Sequence, residues 1–339
     1  SSAFETGQVI GGKQGIVGFG AGEGQVSLKL ATSFISYDQA KKNLELEIGE
    51  KETFDDVYKR AQKTWDDLLG IIEIEGATEE QATTFYSSLY RMYMFPGNYS
   101  ENTGTASAPV WKYSSLNSGT LTSPDVKEGK IYVGNGFWDT FRGPWPAYAL
   151  LTPSKDAELL NGILEHYKNT GWIGRWINPG ASDRMIGSHA EVIFGDAAQK
   201  GIPFDTQTAF QAVMRSAGAV PENIALGGRK EQETYPFKGY ISNKTNYGLS
   251  WSMENYTNDF GAAQLAAALG MDDEADYYHN RALRYPALFN AEAGGFFVSK
   301  DQQGAFRNID GYNPAAWWGD YTETNGWNMV FDVPSDING

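Results

Sequence analysis

The spacing of apolar residues changes at Ser36, and this change constrains the fold more than any other feature of the sequence. Within residues 8–35, apolar and polar residues alternate in short runs, a period of two that is typical of β-strands. From Ser36 onward the period is about 3.6, which is typical of helices that bury one face. The chain is therefore predicted to start with a few strands and to continue as a mainly helical protein.

The helical part consists of segments of about 15 residues that alternate with loops containing Gly and Pro. Thr53 and Thr78 are placed to begin two early helices, and Pro144 predicts a kink or a new start within segment 138–151. The other predictions are a strand-like link at 71–75, a long loop or hairpin at 97–135, and helices at 156–170, 187–200, 205–217, 250–269 and 272–289. Paired helices without a repeat of fixed length favour an α/α toroid over a solenoid.

Composition excludes several classes of function. With 27 Lys and Arg against 42 Asp and Glu, the net charge is −15, and such a surface repels phosphate backbones, so we expect no nucleic-acid partner. No apolar run approaches the roughly 20 residues that span a bilayer, so we expect no membrane insertion. Cysteine is absent and histidine occurs three times, so acid–base chemistry must fall mainly to carboxylates.

Aromatic residues are abundant, with 10 Trp, 19 Tyr and 18 Phe. The flat C–H faces of sugar rings pack on aromatic faces, and sugar hydroxyls need Asp, Asn and Arg nearby. The composition therefore suits carbohydrate binding, although large helical proteins are often rich in aromatic residues as well.

Three polar segments lie at predicted helix mouths, where folds commonly expose their sites. In the first, Trp138 flanks Asp139 and Arg142, which share one face of a helical turn; an intrahelical ion pair explains this spacing equally well. In the second, Asp183 and Arg184 could contact a ligand from a loop.

The second segment continues to His189, in the first turn of the helix that follows. A packed, hydrogen-bonded structural histidine is the commoner interpretation of such a position. In the third segment, Glu323 lies between Tyr321 and Trp327, where loss of hydration would make a carboxylic acid a better proton donor. Helix capping by Thr322 or Glu323 is an alternative of equal weight.

Together, and in this order, the three segments resemble glycoside hydrolase family 92, the exo-acting α-mannosidases. The resemblance is carried by Trp-Asp-Thr-Phe-Arg at 138–142, Met-Ile-Gly-Ser-His at 185–189, and Tyr-Thr-Glu-Thr-Asn-Gly-Trp at 321–327. Softer similarity covers most of the chain and includes residues 254–259. The resemblance implies the end of an amino-terminal β-sandwich at 1–35, a helical linker at 36–72, and the first part of an (α/α)6 catalytic domain at 73–339.

The resemblance also implies the chemistry. It points to inverting hydrolysis of terminal α-linked mannose from glycans, with Glu323 as general acid, an aspartate as base, and a Ca²⁺ ion that helps distort the mannose ring. Inversion requires the two carboxyl groups to lie roughly 6.5–9.5 Å apart, which leaves room for a water molecule between the base and the sugar. Trp138, Asp139 and Arg142 are implied to line the mannose pocket, with Asp183, Arg184 and His189 as neighbours.

The resemblance predicts that further family segments follow Gly339 and carry the base and the metal ligands. We accordingly expect the rest of the same polypeptide as a partner, no turnover by this piece alone, and a secreted, periplasmic or cell-surface location. Two other functions remain open from the sequence: an (α/α)6 glycosidase for another sugar, and a non-catalytic carbohydrate-binding fragment.

Overall fold

The computed structural model describes residues 27–336 with the exception of Leu121 and Trp318. Most of the predicted strand region, residues 1–26, lies outside the described residues. Residues 27–35 form no strand with another described residue. The placement of a β-sandwich end at 1–35 therefore stays a prediction.

Helices dominate the described part of the chain, which confirms the mainly α class. They are α1 Tyr37–Glu47, α2 Phe54–Leu69, α3 Glu79–Tyr93, α4 Phe137–Thr140, α5 Pro144–Leu151, α6 Pro153–Thr170, α7 Ala190–Gln199, α8 Thr206–Gly218, α9 Tyr235–Lys238, α10 Gly248–Ala268, α11 Asp272–Ala282 and α12 Gly326–Met329, with a 3₁₀ turn at Tyr285–Leu288. No helix among the described residues combines the length and apolar character needed to cross a membrane.

Short antiparallel strands connect the helices. They are β1 Gly97–Asn98, β2 Glu101–Asn102, β3 Trp111–Thr120, β4 Ser123–Glu128, β5 Tyr132–Val133, β6 Asn135–Gly136, β7 Trp176–Ile177, β8 Ala181–Ser182, β9 Phe289–Asn290 and β10 Phe296–Phe297. Strand β3 pairs with β2 and β4, and β7 pairs with β6 and β8. The excursion predicted at 97–135 is therefore a hairpin, β3–β4, together with its flanking strands.

Side-chain caps set the start of the first three helices. Ser36 accepts a hydrogen bond from the backbone N–H of Gln39 at the start of α1. Thr53 and Thr78 each form a reciprocal capping box, with Asp56 and with Gln81. Each box satisfies two backbone N–H groups that have no partner within the helix. These starts agree with the sequence predictions.

Other boundaries differ from the predictions for identifiable reasons. Segment 138–151 is two helices, because Pro144 cannot continue α4 and instead begins α5. The helix predicted at 187–200 begins at Ala190, since Gly187 and His189 both have positive φ. The helix predicted at 272–289 ends at Ala282. Residues 71–75 form a turn and not the predicted strand.

Helix α10 is the centre of the packing. It is buried on all sides over most of its length, and it packs mainly against α7 and α11. A helix without a solvent face is typical of the interior of a larger α-helical domain. One apolar cluster joins α5, α6, α7 and α8, and a second surrounds the first turns of α10. Closure of these helices into a six-pair toroid stays a prediction.

Candidate functional site

A cleft of about 400 Å³ lies over the amino-terminal half of α10. Four stretches of chain meet there. They are Trp138, Asp139 and Arg142 from α4 and the residues after it; Ile186; Ser250 and Glu254 from α10; and residues between 322 and 332. The structure thus brings together four of the residues predicted from sequence: Trp138, Asp139, Arg142 and Glu323. Their positions in the chain are up to 185 apart, so only the tertiary fold makes them neighbours.

The wall formed by α4 is held by contacts to distant segments. The indole Nε1–H of Trp138 donates a hydrogen bond of 2.9 Å to Glu254 Oε1. Arg142 Nη2 donates to Asp332 Oδ1 at 2.7 Å and lies 3.7 Å from Glu254 Oε2. Arg142 does not pair with Asp139, so the intrahelical ion pair considered from sequence is not formed. Asp139 is exposed toward the cleft and available to a ligand.

The position of Glu323 is set by its backbone conformation and by a hydrogen bond of the preceding residue. It has φ of 51°, a left-handed conformation that is rare outside glycine. The preceding Thr322 donates its N–H to Ser250 Oγ at 2.9 Å, which ties this loop to the first turn of α10. The Glu323 carboxylate makes no hydrogen bond or ion pair with another described residue and faces solvent at the cleft.

The predicted enclosure of Glu323 between Tyr321 and Trp327 is wrong for the described chain. Tyr321 is buried, and its hydroxyl donates to the carbonyl of Phe297 at 3.0 Å. Trp327 packs edge-to-face with Phe296, with ring centroids 4.8 Å apart. The two rings are therefore used for packing, and any desolvation of Glu323 must come from other groups or from a ligand.

Glu254 forms the floor of the cleft, and its side chain is 5% exposed. Burial raises its pKa to about 8, with a further contribution from the negative charge of Asp332, while Arg142 and the Trp138 hydrogen bond oppose the shift. Oε2 of Glu254 has no hydrogen-bond partner among the described residues. A buried carboxyl with a strongly perturbed pKa in a cleft is characteristic of functional sites.

His189 lies beneath the cleft and does not line it. Its side chain is fully buried, and its ring stacks on Phe141 with centroids 4.1 Å apart. Burial, with Arg142 nearby, lowers the pKa of His189 to about 3, so the ring is neutral. Nε2 of His189 lies 3.4 Å from Glu254 Oε2. The interpretation of His189 as a packed histidine agrees with this placement.

The structure does not bring Asp183 and Arg184 into the cleft. Asp183 pairs with Arg175 and lies 3.6 Å from Lys230. Both Asp183 and Arg184 are exposed on the loop that follows β8. The position of this loop is set by the strand before it, β8, which places the loop beside Arg175.

Sequence reasoning missed the site roles of Glu254 and Asp332. Glu254 was part of the softer similarity at 254–259, but it was not assigned a role. A usable signal is present, because the four polar residues Glu254, Asn255, Asn258 and Asp259 stand close together within the predicted helix at 250–269. The local sequence does not mark Asp332 as a site residue, apart from its proximity to the third segment.

Comparison with known proteins decides the family. Residues 39–339 match the glycosyl hydrolase family 92 catalytic domain. The chain belongs to this family. The predicted resemblance is thereby confirmed.

Solved family 92 structures have the same fold over most of this chain. A family 92 inverting mannosidase from Bacteroides thetaiotaomicron is 33% identical, with a TM-score of 0.81 over 89% of this chain and 40% of that one. A family 92 α-mannosidase from the same organism is 25% identical, with a TM-score of 0.77 over 89% of this chain and 38% of that one.

A curated relative also matches. A protein from Arthroderma benhamiae described as an uncharacterized secreted glycosidase is 27% identical over 295 residues, which are 83% of this chain and 32% of that protein. The chain thus spans about a third of this Arthroderma benhamiae protein and about two fifths of the two solved family 92 proteins.

Proposed function

We propose that this chain supplies the acid-bearing side of the sugar pocket of an exo-acting α-mannosidase. Glu323 is the general acid, and Trp138, Asp139 and Arg142 hold the terminal mannose. The observation that carries the proposal is that a single cleft joins Glu323 to these three residues. The proposal is supported by family membership and by the names of the two solved relatives, which are mannosidases.

The chemistry of the cleft suits a terminal sugar. Trp138 is half-buried, so part of its ring is open to the C–H face of a sugar, while its N–H is already used by Glu254. Asp139 and Arg142 offer an acceptor and donors for sugar hydroxyls. A glycan bound over Glu323 would exclude water from its carboxyl group, which favours the protonated form that can donate.

In the proposed reaction, Glu323 gives its proton to the glycosidic oxygen as the bond to the anomeric carbon breaks. Water attacks that carbon from the opposite face and loses its proton to a carboxylate base, which inverts the configuration. We place the base in the part of the family domain that this chain does not span. General acid catalysis of this kind contributes about 10²–10⁴-fold to the rate.

The resemblance to family 92 also implies a Ca²⁺ ion. Among the described residues, no three His, Cys, Asp or Glu side chains lie close enough together to hold a metal ion. The described residues therefore do not fit the ion by themselves. The (α/α)6 toroid and a secreted location belong to the same proposal; the second is supported by the name of the fungal relative.

The first prediction concerns Glu323→Gln in the full-length polypeptide. It should reduce cleavage of unactivated mannobiose by about 10²-fold or more, because a poor leaving group needs the proton. Aryl α-mannosides with good leaving groups should lose less than about tenfold. Rates on both substrates measure this difference. Glu292→Gln, an exposed acid in the turn between β9 and β10, is the matched control and should change neither.

Equal loss on both substrates would remove Glu323 from the acid role. Release from aryl α-glucosides but not α-mannosides would favour a glycosidase for another sugar. Calorimetry of this chain with mannose addresses the non-catalytic alternative: binding to the chain, without turnover by the full-length polypeptide, would support a carbohydrate-binding fragment.

A further inference from the structure

Two buried polar atoms beneath the cleft face each other without a conventional partner. Oε2 of Glu254 and Nε2 of His189 have no other hydrogen-bond partner among the described residues, and they lie 3.4 Å apart. Leaving either atom unpaired is unfavourable, because a buried polar atom has lost its hydrogen bond to water and gained none in return. One shared proton would satisfy both atoms at once, after a small side-chain rotation brings them to about 2.8 Å. The geometry admits that proton either on Nε2, beside an ionised Glu254, or on Oε2, in a neutral Glu254.

The charges around Glu254 favour the proton on Oε2. The charged or titratable groups that face Glu254 are Arg142 from the end of α4, Asp332 beyond α12, Asp139 and Glu323 across the cleft, and His189 beneath it. Arg142 is the one cation that the described residues place near it, and Arg142 lies closer to Asp332, at 2.7 Å against 3.7 Å. Two carboxyl groups thus compete for one cation, and the more deeply buried one takes the proton.

The remaining oxygen of Glu254 reaches the cleft wall. Oε1 accepts the indole N–H of Trp138 at 2.9 Å, from a residue 116 positions away. One carboxyl group therefore connects three elements: the Trp138 turn, helix α10, and the start of α7 at His189.

We propose that Glu254 is a positioning residue that works as a neutral carboxylic acid, accepting from Trp138 and donating to His189, so that the charge of Arg142 remains available to Asp332 and the sugar. The raised pKa of Glu254, to about 8, and the lowered pKa of His189 agree with this state. Ionisation of Glu254 at higher pH would draw Arg142 toward it and weaken sugar binding. This inference rests on the proposed function only for the identity of the sugar.

The first test needs no ligand. In this chain, the Trp138 indole N–H proton, identified by its loss in Trp138→Phe, should shift with pH around a midpoint near 8 in an NMR titration. The shift should vanish in Glu254→Gln, whose amide also accepts from Trp138 and donates to His189 but cannot ionise. Trp172 is the internal control, because it donates to Glu222, whose pKa is lowered, and so should not titrate in this range.

The second test uses mannose binding measured by calorimetry across the same pH range. Glu254→Gln should bind within about threefold of the unchanged chain below pH 8 and should lose its alkaline weakening, whereas Glu254→Ala should bind about tenfold more weakly. If Glu254→Gln binds as poorly as Glu254→Ala, the neutral acid is wrong and a carboxylate is required. A Trp138 proton that does not titrate, or that titrates near the usual Glu range, also overturns the inference. If mannose never binds but the proton titrates near 8, the proposed sugar fails while the role of Glu254 stands.

Discussion

Left-handed backbone conformations gather at the cleft. Outside glycine, positive φ is found among the described residues at Met185, His189, Glu231, Tyr247 and Glu323. Glu323 lines the cleft, His189 lies under it, and Tyr247 immediately precedes α10. Such conformations cost about 1–3 kcal/mol each and persist where surrounding contacts enforce them. The fold therefore holds Glu323 in an orientation that its local sequence does not favour.

Gly187 illustrates how closely the residues under the cleft are packed. Its φ is +68°, and a Cβ at this position would lie 2.3 Å from His189 Nε2 and 3.0 Å from Glu254 Cβ. Both its conformation and its lack of a side chain are required. No other amino acid leaves His189 and Glu254 where they are.

Gly187→Ala should therefore destabilise the chain by about 3 kcal/mol or more, the sum of the backbone penalty and the displacement of His189. Denaturant unfolding measures the loss. Gly201→Ala is the matched control, because Gly201 has a similar φ of +73° but nothing within 4 Å of its added Cβ. It should cost only about 1 kcal/mol. Equal losses in the two variants would show that the space around His189 is not tight.

At the scale of elements, a buried ion cluster fixes α10 against its neighbours one to two turns beyond Glu254. Arg229 contacts Asp259 of α10 at 2.5 Å and Glu191 of α7 at 3.1 Å, and Arg281 of α11 contacts Asp259 at 3.1 Å. All four side chains are almost completely buried. Glu191 belongs to this cluster although it lies in the first turn of α7. The cluster sets the register of three helices and thereby the position of Glu254.

Arg229→Met should destabilise the fold by about 3–5 kcal/mol, because it leaves the charges of Glu191 and Asp259 buried without their shared cation. Thermal or denaturant unfolding measures the effect. Arg215→Met is the control: its ion pair with Glu222 is 3.4 Å long and lies at the surface, so it should cost no more than about 1 kcal/mol. A cost for Arg229→Met as small as that would mean that the cluster contributes nothing to stability.

At the scale of the whole molecule, buried titratable groups link stability to pH. Burial raises the pKa of Glu254 to about 8 and that of Asp156 to about 7, the latter with a contribution from Asp196. Burial lowers the pKa of His166 to about 4 and that of His189 to about 3. The carboxyl groups contribute stability that is present at low pH and is lost as pH rises through their folded pKa values. The histidines contribute stability that is present above about pH 6.5 and is lost as pH falls.

Between about pH 6.5 and 8 the loss of stability from the two carboxyl groups exceeds the remaining gain from the histidines, so the free energy of unfolding should fall by about 2 kcal/mol across this range. Urea unfolding at several pH values measures this fall. The double variant Asp156→Asn, Glu254→Gln should not show the fall and should instead keep the small rise that the histidines contribute. A stability that rises toward pH 8 would contradict the protonated state of both carboxyl groups.

Local chemistry made several features of this protein predictable from its sequence. The capping boxes at Thr53 and Thr78 depend only on residues three positions apart, and the break at Pro144 depends on one ring. The three polar segments are visible because they lie at predicted helix mouths, two of them beside aromatic residues, and their order identifies the family. The sequence by itself therefore determined helix starts, the mainly helical class and the family.

The tertiary structure decided which of those segments meet and which protonation state their side chains adopt. Trp138 and Glu254 are 116 positions apart, and Arg142 and Asp332 are 190 apart. Asp183 had the same local features as Asp139, yet its loop carries it to Arg175. Burial is a property of neighbours that are distant in the chain, and the loss of hydration that protonates Glu254 exists only after they pack around it. Local sequence patterns do not predict this burial, because they do not specify which distant residues will cover a given side chain.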